Sequence, residues 1–417
     1  MIIFKFGGAS VKDAESVKNV ATILNTNSSQ ERLCVVVSAM GKTTNLLEEI
    51  AKNYFNKVDS SNQLNLLKEY HFSICKNLFS NNDKFFEELH NVFVELEWIL
   101  EEEPSMDFSF IYDQIVCLGE ILSTKIIAAF LNNTGLNCHW VDARDLIKTD
   151  NTYREGKVDW DSTLSCTKEY FTKNSHQLIL TQGFIGGTSE NFTTTLGREG
   201  SDYSAAILAY CLDAKEVLIW KDVPGVLNAD PKYFSNTFVL NHLSYQDTIE
   251  LAYYGATVIH PKTIKPLQNK NIALKVKSFL NPNLEGTLID GSNTTEHKPS
   301  YIVKRNQVVM SIFPKDFSFI IEDNLSEIFK VFSQKHVKIN LMQNSAISFS
   351  VCINNDENKI QELIPLLKNN YKVLFNEKLQ LITIRYFNEE TENSVLKNKE
   401  KILEQRSRHT LQVVVKE

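Results

Sequence analysis

The stretch that decides the fold reads Thr193-Thr194-Thr195-Leu196-Gly197-Arg198-Glu199-Gly200-Ser201-Asp202 and runs on into Tyr203-Ser204-Ala205-Ala206-Ile207. Hydroxyl residues, two glycines and an arginine precede an alanine-rich run, so we predict that a strand ends here and a helix begins. Backbone N–H groups at such a helix start point towards a bound anion. Simple helix capping explains Ser201 and Asp202 but gives Arg198 no role. The stretch is therefore our candidate substrate site.

The composition is that of an ordinary soluble globular protein, with 417 residues, 43% hydrophobic and 23% charged, which allows two or three domains. The net charge of -7 argues against a general nucleic-acid or membrane surface, so any anion must be met by local positive groups. The seven scattered cysteines form no CxxC pair, which indicates reduced thiols in a cytoplasmic protein and does not favour zinc. No apolar segment approaches the roughly 20 residues that span a bilayer. We expect a protein that is neither exported nor embedded in a membrane.

The amino terminus has the strand, turn and helix order of a phosphate site. Residues 2–6 are apolar, Lys5-Phe6-Gly7-Gly8-Ala9-Ser10 follows, and residues 11–24 carry helical spacing. Gly7 and Gly8 let the backbone approach phosphate oxygens, and Lys5 can supply a positive charge. An ordinary turn beside a surface lysine is the alternative, and a Gly-Gly pair alone does not decide.

The second predicted strand, at 33–38, runs into a sequence that imitates a P-loop. Gly41-Lys42-Thr43 matches the end of that motif, but the required first glycine would fall at Val36, so we reject the P-loop interpretation. Ser38 and Thr44 remain as hydroxyls at the carboxyl edge of a strand. Open α/β sheets bind their ligands at this edge.

Helical spacing then continues from about 45 to 131, which we interpret as a helical excursion from the sheet. Its last helix, at about 108–131, carries Glu120 on an apolar stripe. A carboxylate on such a face must be paired or functional. An internal salt bridge is the alternative to a functional role.

Four further strands are predicted at 136–142, 178–184, 216–220 and 272–276, with helices at 202–212 and 244–254. Lys221 and Asp222 end the buried third strand of this set, and charged residues there suit a nucleotide with its metal. Turn formation is the alternative role for this segment. His260 before Pro261 is more typical of a structural residue. The polar run 290–296 predicts a linker after a first domain at 1–296.

The predicted order of strands and helices changes in the tail, residues 297–417. Strand 307–313, helix 323–335, strands 337–342 and 346–353, helix 357–368 and strand 371–375 give β-α-β-β-α-β, a ferredoxin-like α+β unit at about 307–376. A second, shortened unit at 377–417 has strand 379–386, helix 391–404 and strand 410–416. It stops two elements short of a repeat.

Four blocks of the chain, taken together and in this order, are similar to the aspartate kinases of the amino-acid kinase family. They are Lys5–Val11, Thr193–Ala206, Trp220–Val226 with Ala229-Asp230-Pro231, and Glu250–Ala256 with His260-Pro261. The resemblance implies a three-layer α/β/α kinase domain with an eight-stranded sheet, followed by an ACT regulatory region. It also implies that ATP and L-aspartate give 4-phospho-L-aspartate and ADP, the first step towards lysine, threonine and methionine.

The resemblance carries site residues with it. It implies nucleotide contacts at Lys5, Phe6, Gly7, Gly8, Lys221, Asp222, Leu227, Lys232, Thr257 and Val258. It implies aspartate contacts at Thr44, Glu120, Arg198, Glu199, Gly200 and Ser201, with Asp202 beside the phosphates. Lys5, Asp202 and Arg198 are the expected catalytic residues. ATP and Mg²⁺ are the implied cofactors, and no protein ligand is assigned to Mg²⁺ because ATP carries it.

Three positions depart from the family pattern. Glu199 stands where the family usually has glycine, Leu227 where it often has tyrosine, and Thr257 where many members carry a phosphate-binding lysine. Without that lysine, Lys5, Lys232 and Mg²⁺ are left to neutralise the β- and γ-phosphates.

Residues 337–346 align with the effector loop of a first ACT domain, and Asn340, Ser345 and Ala346 are the expected effector contacts. ACT domains usually pair between chains, so we expect a homodimer or higher homo-oligomer. Asn340 and Ala346 stand where lysine-sensing relatives tend to carry acids, so we expect threonine or no inhibition rather than lysine.

Two other functions fit the same residues. One is phosphorylation of glutamate or acetylglutamate, and the other is amino-acid sensing by an inactive kinase domain. Arg198 with Glu120 calls for a substrate with both an α-carboxylate and an α-ammonium group, while Lys5 and Asp222 favour an active enzyme. A carboxylate nucleophile is already ionised at pH 7 and needs no general base.

Overall fold

The computed structural model describes residues 1–28, 31–79, 83–104, 106–256, 259–292, 297–316 and 318–417, with the backbone alone at 83 and 84. It divides into two compact units. The first comprises Met1–Val226, Val239–Ile249 and Thr257–Thr294, and the second comprises Leu227–Phe238, Glu250–Ala256 and Thr295–Glu417.

Most strands and helices of the chain precede residue 292. The strands are β1 Ile2–Phe6, β2 Leu33–Val37, β3 Cys138–Val141, β4 Leu178–Gln182, β5 Ile185–Gly187, β6 Thr193–Thr195, β7 Glu216–Lys221, β8 His242–Ser244, β9 Ala273–Ser278 and β10 Thr287–Asp290. The helices are α1 Ala14–Ser28, α2 Thr43–Phe55, α3 Ser61–Leu78, α4 Asp83–Glu101, α5 Phe108–Asn133, α6 Ala143–Leu146, α7 Trp160–Lys173, α8 Gly200–Cys211, α9 Tyr245–Tyr254 and α10 Pro261–Lys270.

Among the described residues, eight strands of the first unit form one sheet in the order β3-β4-β2-β1-β7-β9-β10-β8. The strands from β3 to β9 in this order are parallel, and β10 runs antiparallel to β9. Parallel strands end at the same edge, so the loops after β1, β2, β4 and β7 lie side by side. The sheet extends beyond the predicted strand at 272–276, because β10 pairs with β9 and β8 pairs with β10.

The two faces of this sheet carry different helices, since successive side chains point to opposite faces. Phe4 and Phe6 lie in one buried cluster with residues of α1 and α5. Lys5, between them, faces the other way and meets Asp202 of α8. Helices on both faces confirm the α/β/α layering.

The helical excursion comprises α2 to α5, as predicted. Within the described part of the chain, α5 is the only helix long and apolar enough to cross a membrane, and 83% of its apolar window is buried inside the protein. The statement that no apolar segment approaches that length is therefore wrong. The apolar side chains of α5 pack in the core with the sheet and α2 to α4.

The second unit contains a sheet of its own. Its elements are β11 Ser300–Pro314, α11 Glu322–Gln334, β12 Ile339–Asn344, β13 Phe349–Asn354, α12 Glu357–Lys368, β14 Tyr371–Arg385, α13 Glu389–Leu396, β15 Lys401–Arg406 and β16 Thr410–Lys416. In the described residues these six strands follow the order β12-β13-β11-β14-β16-β15. The β-α-β-β-α-β order expected for the tail is confirmed from β11 to β14.

The two long strands β11 and β14 pair with each other in two segments, and each segment belongs to one half of the six-stranded sheet. Residues 307–314 of β11 pair with 371–379 of β14, and residues 300–304 pair with 381–385. The register shifts between Lys304 and Gln307, where the halves join. The strands predicted at 371–375 and 379–386 are therefore one continuous strand.

The helix predicted at 391–404 is wrong in its second half. Helix α13 ends at Leu396, Asn398 adopts a left-handed conformation with φ 63°, and β15 follows. Leu403 of β15 pairs with Val414 of β16 and is buried. Pairing with a neighbouring strand overrides the helical preference of this Lys- and Glu-rich segment.

Candidate active site

The loops after β1 and β2 stack closely at the carboxyl edge of the large sheet. The backbone N–H of Gly41 donates to the carbonyl of Gly8 at 3.0 Å. A Cβ atom on Gly8 would lie 2.8 Å from the carbonyl oxygen of Ala39, so only glycine fits there. The predicted glycine turn thus forms a compact backbone surface suited to phosphate oxygens.

Two lysines share one carboxylate beside this turn. Lys5 Nζ lies 2.6 Å from Asp202 Oδ1, and Lys221 Nζ lies 3.3 Å from Asp202 Oδ2. Lys5 comes from β1, Lys221 from the end of β7, and Asp202 from the first turn of α8. Residues far apart in the chain therefore meet in one cluster of two positive charges and one negative charge.

Asp202 is 2% exposed, and its protonation state follows from its neighbours. Burial alone would raise the pKa of Asp202, but attraction from Lys5 and Lys221 outweighs burial and holds the pKa below its ordinary value. Asp202 is therefore ionised at neutral pH and fixes both ammonium groups at the sheet edge.

Glu120, predicted from its place on an apolar stripe, is buried in α5. Burial raises the pKa of Glu120 to about 8, against the opposing effects of Lys5 and of the hydrogen bond from the Ala39 backbone N–H. Glu120 Oε2 is buried and has no hydrogen-bond partner among the described residues. This oxygen can accept a hydrogen bond from a bound group, such as an ammonium.

Arg198 lies in the turn between β6 and α8, and the predicted strand-to-helix transition is confirmed there. The Arg198 side chain is exposed, whereas Gly200 and Ser201 are buried. A Cβ atom on Gly200 would lie 2.6 Å from the ring of Phe184, so the helix starts against this aromatic ring. The guanidinium is thus presented at the edge of a tightly packed helix terminus.

The departure at Glu199 has a structural consequence. Glu199 has φ 54° and ψ 30°, the left-handed conformation that glycine adopts without steric cost. A residue with a Cβ atom costs about 1–2 kcal/mol there. Glu199 Oε2 is buried and has no hydrogen-bond partner within the described ranges.

Thr44 lies in the first turn of α2, next to a buried hydrogen-bonded pair. Thr43 Oγ1 lies 3.3 Å from His71 Nε2, and His71 Nδ1 donates to the Leu67 carbonyl at 2.8 Å. Burial lowers the pKa of His71 to about 4, so its neutral ring accepts the Thr43 hydroxyl proton in a hydrogen bond. No local pattern around His71 indicates this role.

Sequence reasoning also missed two residues of α5 that hold β6. Asp113 accepts hydrogen bonds from the backbone N–H of Arg154 and of Thr195 and from the Thr195 hydroxyl. Burial raises the pKa of Asp113 to about 6, even though these hydrogen bonds oppose the rise. Gln114 forms a reciprocal pair with the backbone of Thr193. Their partners are about 40 or 80 positions away, so no local motif reveals them.

The other predicted nucleotide residues are placed unevenly. The Phe6 side chain is fully buried and stacks on Trp220 with ring centroids 5.9 Å apart, so only the Phe6 backbone faces the edge. Asp222 is exposed just after β7. Leu227 and Lys232 belong to the second unit. Thr257 and Val258 lie outside the described residues.

A resident metal centre is not evident in the described ranges, where no group of three or more His, Cys, Asp or Glu side chains gathers into a possible metal site. All seven cysteines are free thiols, and six of them are buried.

The chain is similar to known proteins in both sequence and structure. A family model described as the amino acid kinase family matches residues 1–278. The chain belongs to the amino acid kinase family. The match covers β1 with its glycine turn, α5, the β6–α8 turn and β7, which are the elements that form the candidate site of this amino acid kinase.

Several curated relatives of this amino acid kinase are aspartokinases. A bifunctional aspartokinase/homoserine dehydrogenase 2 of Arabidopsis thaliana is 34% identical over 69% of this chain and 32% of its own length. Aspartokinase 1 of the same plant is 31% identical over 87% of this chain and 65% of its own length. Lysine-sensitive aspartokinase 3 of Escherichia coli is 28% identical over 85% and 78%. The chain thus spans about a third of the length of the bifunctional relative.

Solved structures give the same result for the fold. Escherichia coli aspartokinase III in complex with aspartate and ADP has a TM-score of 0.83 and 25% identity, covering 100% of this chain and 96% of the other. The structure of that enzyme with lysine and aspartate has the same values. The amino acid kinase fold followed by a ferredoxin-like region is therefore shared along the whole chain.

Proposed function

We propose that this chain is an aspartate kinase, which transfers the γ-phosphoryl group of ATP to the side-chain carboxylate of L-aspartate and releases ADP. The observation that carries the proposal is the Lys5–Asp202–Lys221 cluster beside the Gly7–Gly8 turn. Two ammonium groups held by one buried carboxylate suit an anionic group in transfer. The aspartokinase relatives, one of them solved with aspartate and ADP, support this choice of substrates.

The reaction asks for positioning and charge rather than a base. A carboxylate oxygen of aspartate bonds to the γ-phosphorus while the bond from that phosphorus to the β–γ bridging oxygen breaks, and ADP leaves with the bridging oxygen. Because the nucleophile is ionised at pH 7, no proton has to be removed. Lys5 stabilises the charge on the transferring group, and Asp202 holds Lys5 and Lys221 in place.

Arg198 and Glu120 recognise the two groups of the amino acid that do not react, its α-carboxylate and its α-ammonium. A guanidinium binds an α-carboxylate through two parallel hydrogen bonds. The buried oxygen of Glu120 that lacks a partner is suited to an α-ammonium. Thr44, Glu199, Gly200 and Ser201 complete the proposed aspartate contacts. This pairing favours a free amino acid over acetylglutamate, which has no ammonium group.

The nucleotide site is proposed from the resemblance to the aspartokinases. Its residues are Lys5, the backbone of Phe6, Gly7, Gly8, Lys221, Asp222, Leu227, Lys232, Thr257 and Val258. We propose that ATP binds as its magnesium complex, and the lysines of the site suit its phosphate oxygens. When bound, Mg²⁺ draws charge from the β- and γ-phosphates.

The regulatory features follow from the same family. Residues 1–296 are proposed as the catalytic domain and 297–417 as an ACT region, with one complete unit at about 307–376 and a shortened one at 377–417. We propose a cytoplasmic homo-oligomer, paired through this region, that starts lysine, threonine and methionine synthesis. Asn340, Ser345 and Ala346 are the proposed effector contacts.

A coupled ADP-release assay tests the function. The purified chain is given MgATP with L-aspartate, L-glutamate or N-acetyl-L-glutamate, and ADP is measured against each acid concentration. Aspartate is expected to give by far the highest kcat/KM. Higher turnover with either other acid would identify a different acid kinase, and no turnover with any of them would indicate a sensing module.

Lys5→Ala is the variant that tests the mechanism. We expect kcat to fall by about two to four orders of magnitude with the fold retained, because Lys5 acts on the transition state. Lys18→Ala is the matched control, since Lys18 is an exposed lysine that pairs with Glu15 on α1. Near-normal kcat for Lys5→Ala would remove Lys5 from the mechanism.

A further inference from the structure

The start of α5 holds the strand that leads to Arg198. Asp113 Oδ2 accepts the backbone N–H of Thr195 at 2.9 Å and that of Arg154 at 2.8 Å, and Asp113 Oδ1 accepts the Thr195 hydroxyl at 2.7 Å. Asp113 and Thr195 are both fully buried. Three residues separate Thr195 from Glu199, so this carboxylate fixes the backbone just before the turn.

Gln114, the next residue of α5, makes a second attachment at Thr193, two residues before Thr195 in β6. Its side-chain nitrogen donates to the Thr193 carbonyl at 2.9 Å, and its side-chain oxygen accepts the Thr193 N–H at 3.1 Å. A side-chain amide here makes the pair of hydrogen bonds that a neighbouring strand would make. The short strand β6 is thus tied to α5 on one side and to β5 on the other.

Asp113 also joins the turn to a second loop. Asp113 accepts the N–H of Arg154 in this loop. Two residues later in the same loop, the Gly156 N–H donates to the Thr195 carbonyl at 2.8 Å. A Cβ atom on Gly197 would lie 3.3 Å from the Arg154 carbonyl oxygen, so this loop also packs against the turn itself. One carboxylate therefore holds both sides of the backbone that presents Arg198.

The same helix carries Glu120. Asp113 and Glu120 are seven residues apart, which is about two turns and about 10 Å along one face of a helix. Because Asp113 attaches helix α5 to β6, the length of helix between Asp113 and Glu120 sets the distance from Glu120 to the turn between β6 and α8.

From this arrangement we propose that Asp113 is a positioning residue for the amino-acid substrate, which acts by fixing the β6 turn and hence the place of Arg198 relative to Glu120. The inference rests on the proposed function, because it takes Arg198 and Glu120 as the groups that bind aspartate. Asp113 is not itself proposed as a substrate contact, because its carboxylate is used by Arg154 and Thr195.

Two substitutions separate hydrogen bonding from charge. In Asp113→Asn, the amide oxygen can accept both backbone N–H groups, and the NH₂ group can donate to Thr195 Oγ1, whose hydroxyl acts as acceptor. Asp113→Ala removes all three acceptors. A positioning role therefore predicts that asparagine recovers most of what alanine loses.

The experiment is steady-state kinetics with each substrate varied at saturation of the other. For Asp113→Ala we expect the KM for aspartate to rise about ten- to a hundred-fold, since displaced binding groups cost that much, while the KM for ATP changes less than about twofold. Asp113→Asn should return the aspartate KM to within about threefold of the original chain. The variant Asp113→Ala with Arg198→Lys should show much less than the sum of the two single effects.

Asp107→Ala is the matched control, because Asp107 is exposed and caps the same helix by accepting the backbone N–H groups of Ser109 and Phe110. It should leave the aspartate KM unchanged, and thermal melts show whether each variant folds. Equal losses for asparagine and alanine, equal rises in both KM values, or no change for a folded Asp113→Ala would each overturn the proposal. If the unsubstituted chain has no aspartate-dependent turnover, the proposed function fails instead, and the role of Asp113 fails with it.

Discussion

Arg198 is exposed on the turn, between the half-buried Gly197 and Glu199, so its side chain can be changed with little effect on packing. Arg198→Lys keeps the charge but loses the two parallel hydrogen bonds that orient an α-carboxylate. We expect kcat/KM for aspartate to fall about ten- to a hundred-fold, equal to roughly 1.5–3 kcal/mol, mainly through the KM for aspartate. The KM for ATP should hardly move.

Steady-state kinetics distinguishes three roles for Arg198. A rise in the aspartate KM alone supports substrate recognition, and a rise in the ATP KM alone contradicts it. Two unchanged constants would make Arg198 an ordinary surface residue. Arg305→Lys is a suitable control, because Arg305 stacks on Tyr233 in the second unit.

Glu120 predicts that aspartate binding releases a proton. Its pKa of about 8 in the free protein lies above its ordinary value of 4.5, so Glu120 is mostly protonated at pH 7. A bound ammonium favours the carboxylate form and lowers this pKa, so the proton leaves on binding. Calorimetry at pH 7 should give a more negative enthalpy in Tris than in phosphate, because Tris takes up the proton with more heat.

The buffer difference should shrink at pH 9, where Glu120 is already ionised in the free protein, and it should be lost in Glu120→Gln. The same shift affects folding. Because the folded pKa is raised, Glu120 makes its full contribution to stability below about pH 4.5 and loses it as the pH rises to about 8. An unchanged enthalpy between buffers at pH 7 would show that Glu120 does not meet the ammonium.

Single residues also show how far the sequence leads. Lys5 and Lys221 were predicted from their places at strand ends, whereas the role of Asp202 beside the phosphates was implied by the resemblance. The structure brings both lysines within 3.3 Å of Asp202. Asp113 and Gln114 were missed, because their role depends on long-range contacts with β6. Strand ends carry a local signal, whereas the attachment of a strand to a distant helix does not.

At the level of elements, α2 and α5 approach each other closely at Gly119. A Cβ atom there would lie 2.9 Å from side-chain atoms of both Leu47 and Thr43. Gly119→Ala should therefore push the start of α2, with Thr44, away from α5. We expect a loss of about 1–3 kcal/mol in the free energy of unfolding, seen in urea melts, and a raised KM for aspartate.

Gly135→Ala is the matched control for this prediction. Gly135 lies just after α5 with φ 88° and open space around it, so alanine there strains the backbone without touching α2. It should lower stability and leave the aspartate KM alone. If both variants behave alike in kinetics, the packing of α2 on α5 does not shape the site.

Elements were predictable where their pattern was local. The helical excursion and the β-α-β-β-α-β order follow from periodicity, and both agree with the structure. Strand β15 was predicted as helix, because its Lys and Glu content favours helix and only the pairing with β16 reveals the strand. Boundaries that depend on partners elsewhere in the chain remain beyond local patterns.

For the molecule as a whole, the second unit contains the proposed effector contact Asn340. Asn340 is buried, its Oδ1 accepts from Lys304 at 3.0 Å, and its Nδ2 donates to Gln307 and Asn354. Burial, with the nearby Lys338, lowers the pKa of Lys304. A positive group at this position disfavours a second ammonium, so we expect calorimetry to show no tight binding of L-lysine, and either L-threonine binding or none.

Lys304→Met should raise the affinity for L-lysine if this charge decides the preference. Tight binding of L-lysine by the unsubstituted chain would contradict the prediction. The chain would then resemble its relative, lysine-sensitive aspartokinase 3. The activity assay with each amino acid added checks whether binding also inhibits.

The shared strands β11 and β14 make one half of the tail an insert within the other. One half of the six-stranded sheet comes from the single segment 307–379. The other half is assembled from two segments, 300–304 and 381–416. Lys304 and Leu381, which flank the inner segment, are paired in the sheet. The two chain ends that removal of this segment would leave therefore already lie one strand spacing apart. A two-residue turn can close that gap. The inner half can thus be gained, lost or exchanged in a single genetic event, while the outer half has no contiguous gene segment of its own.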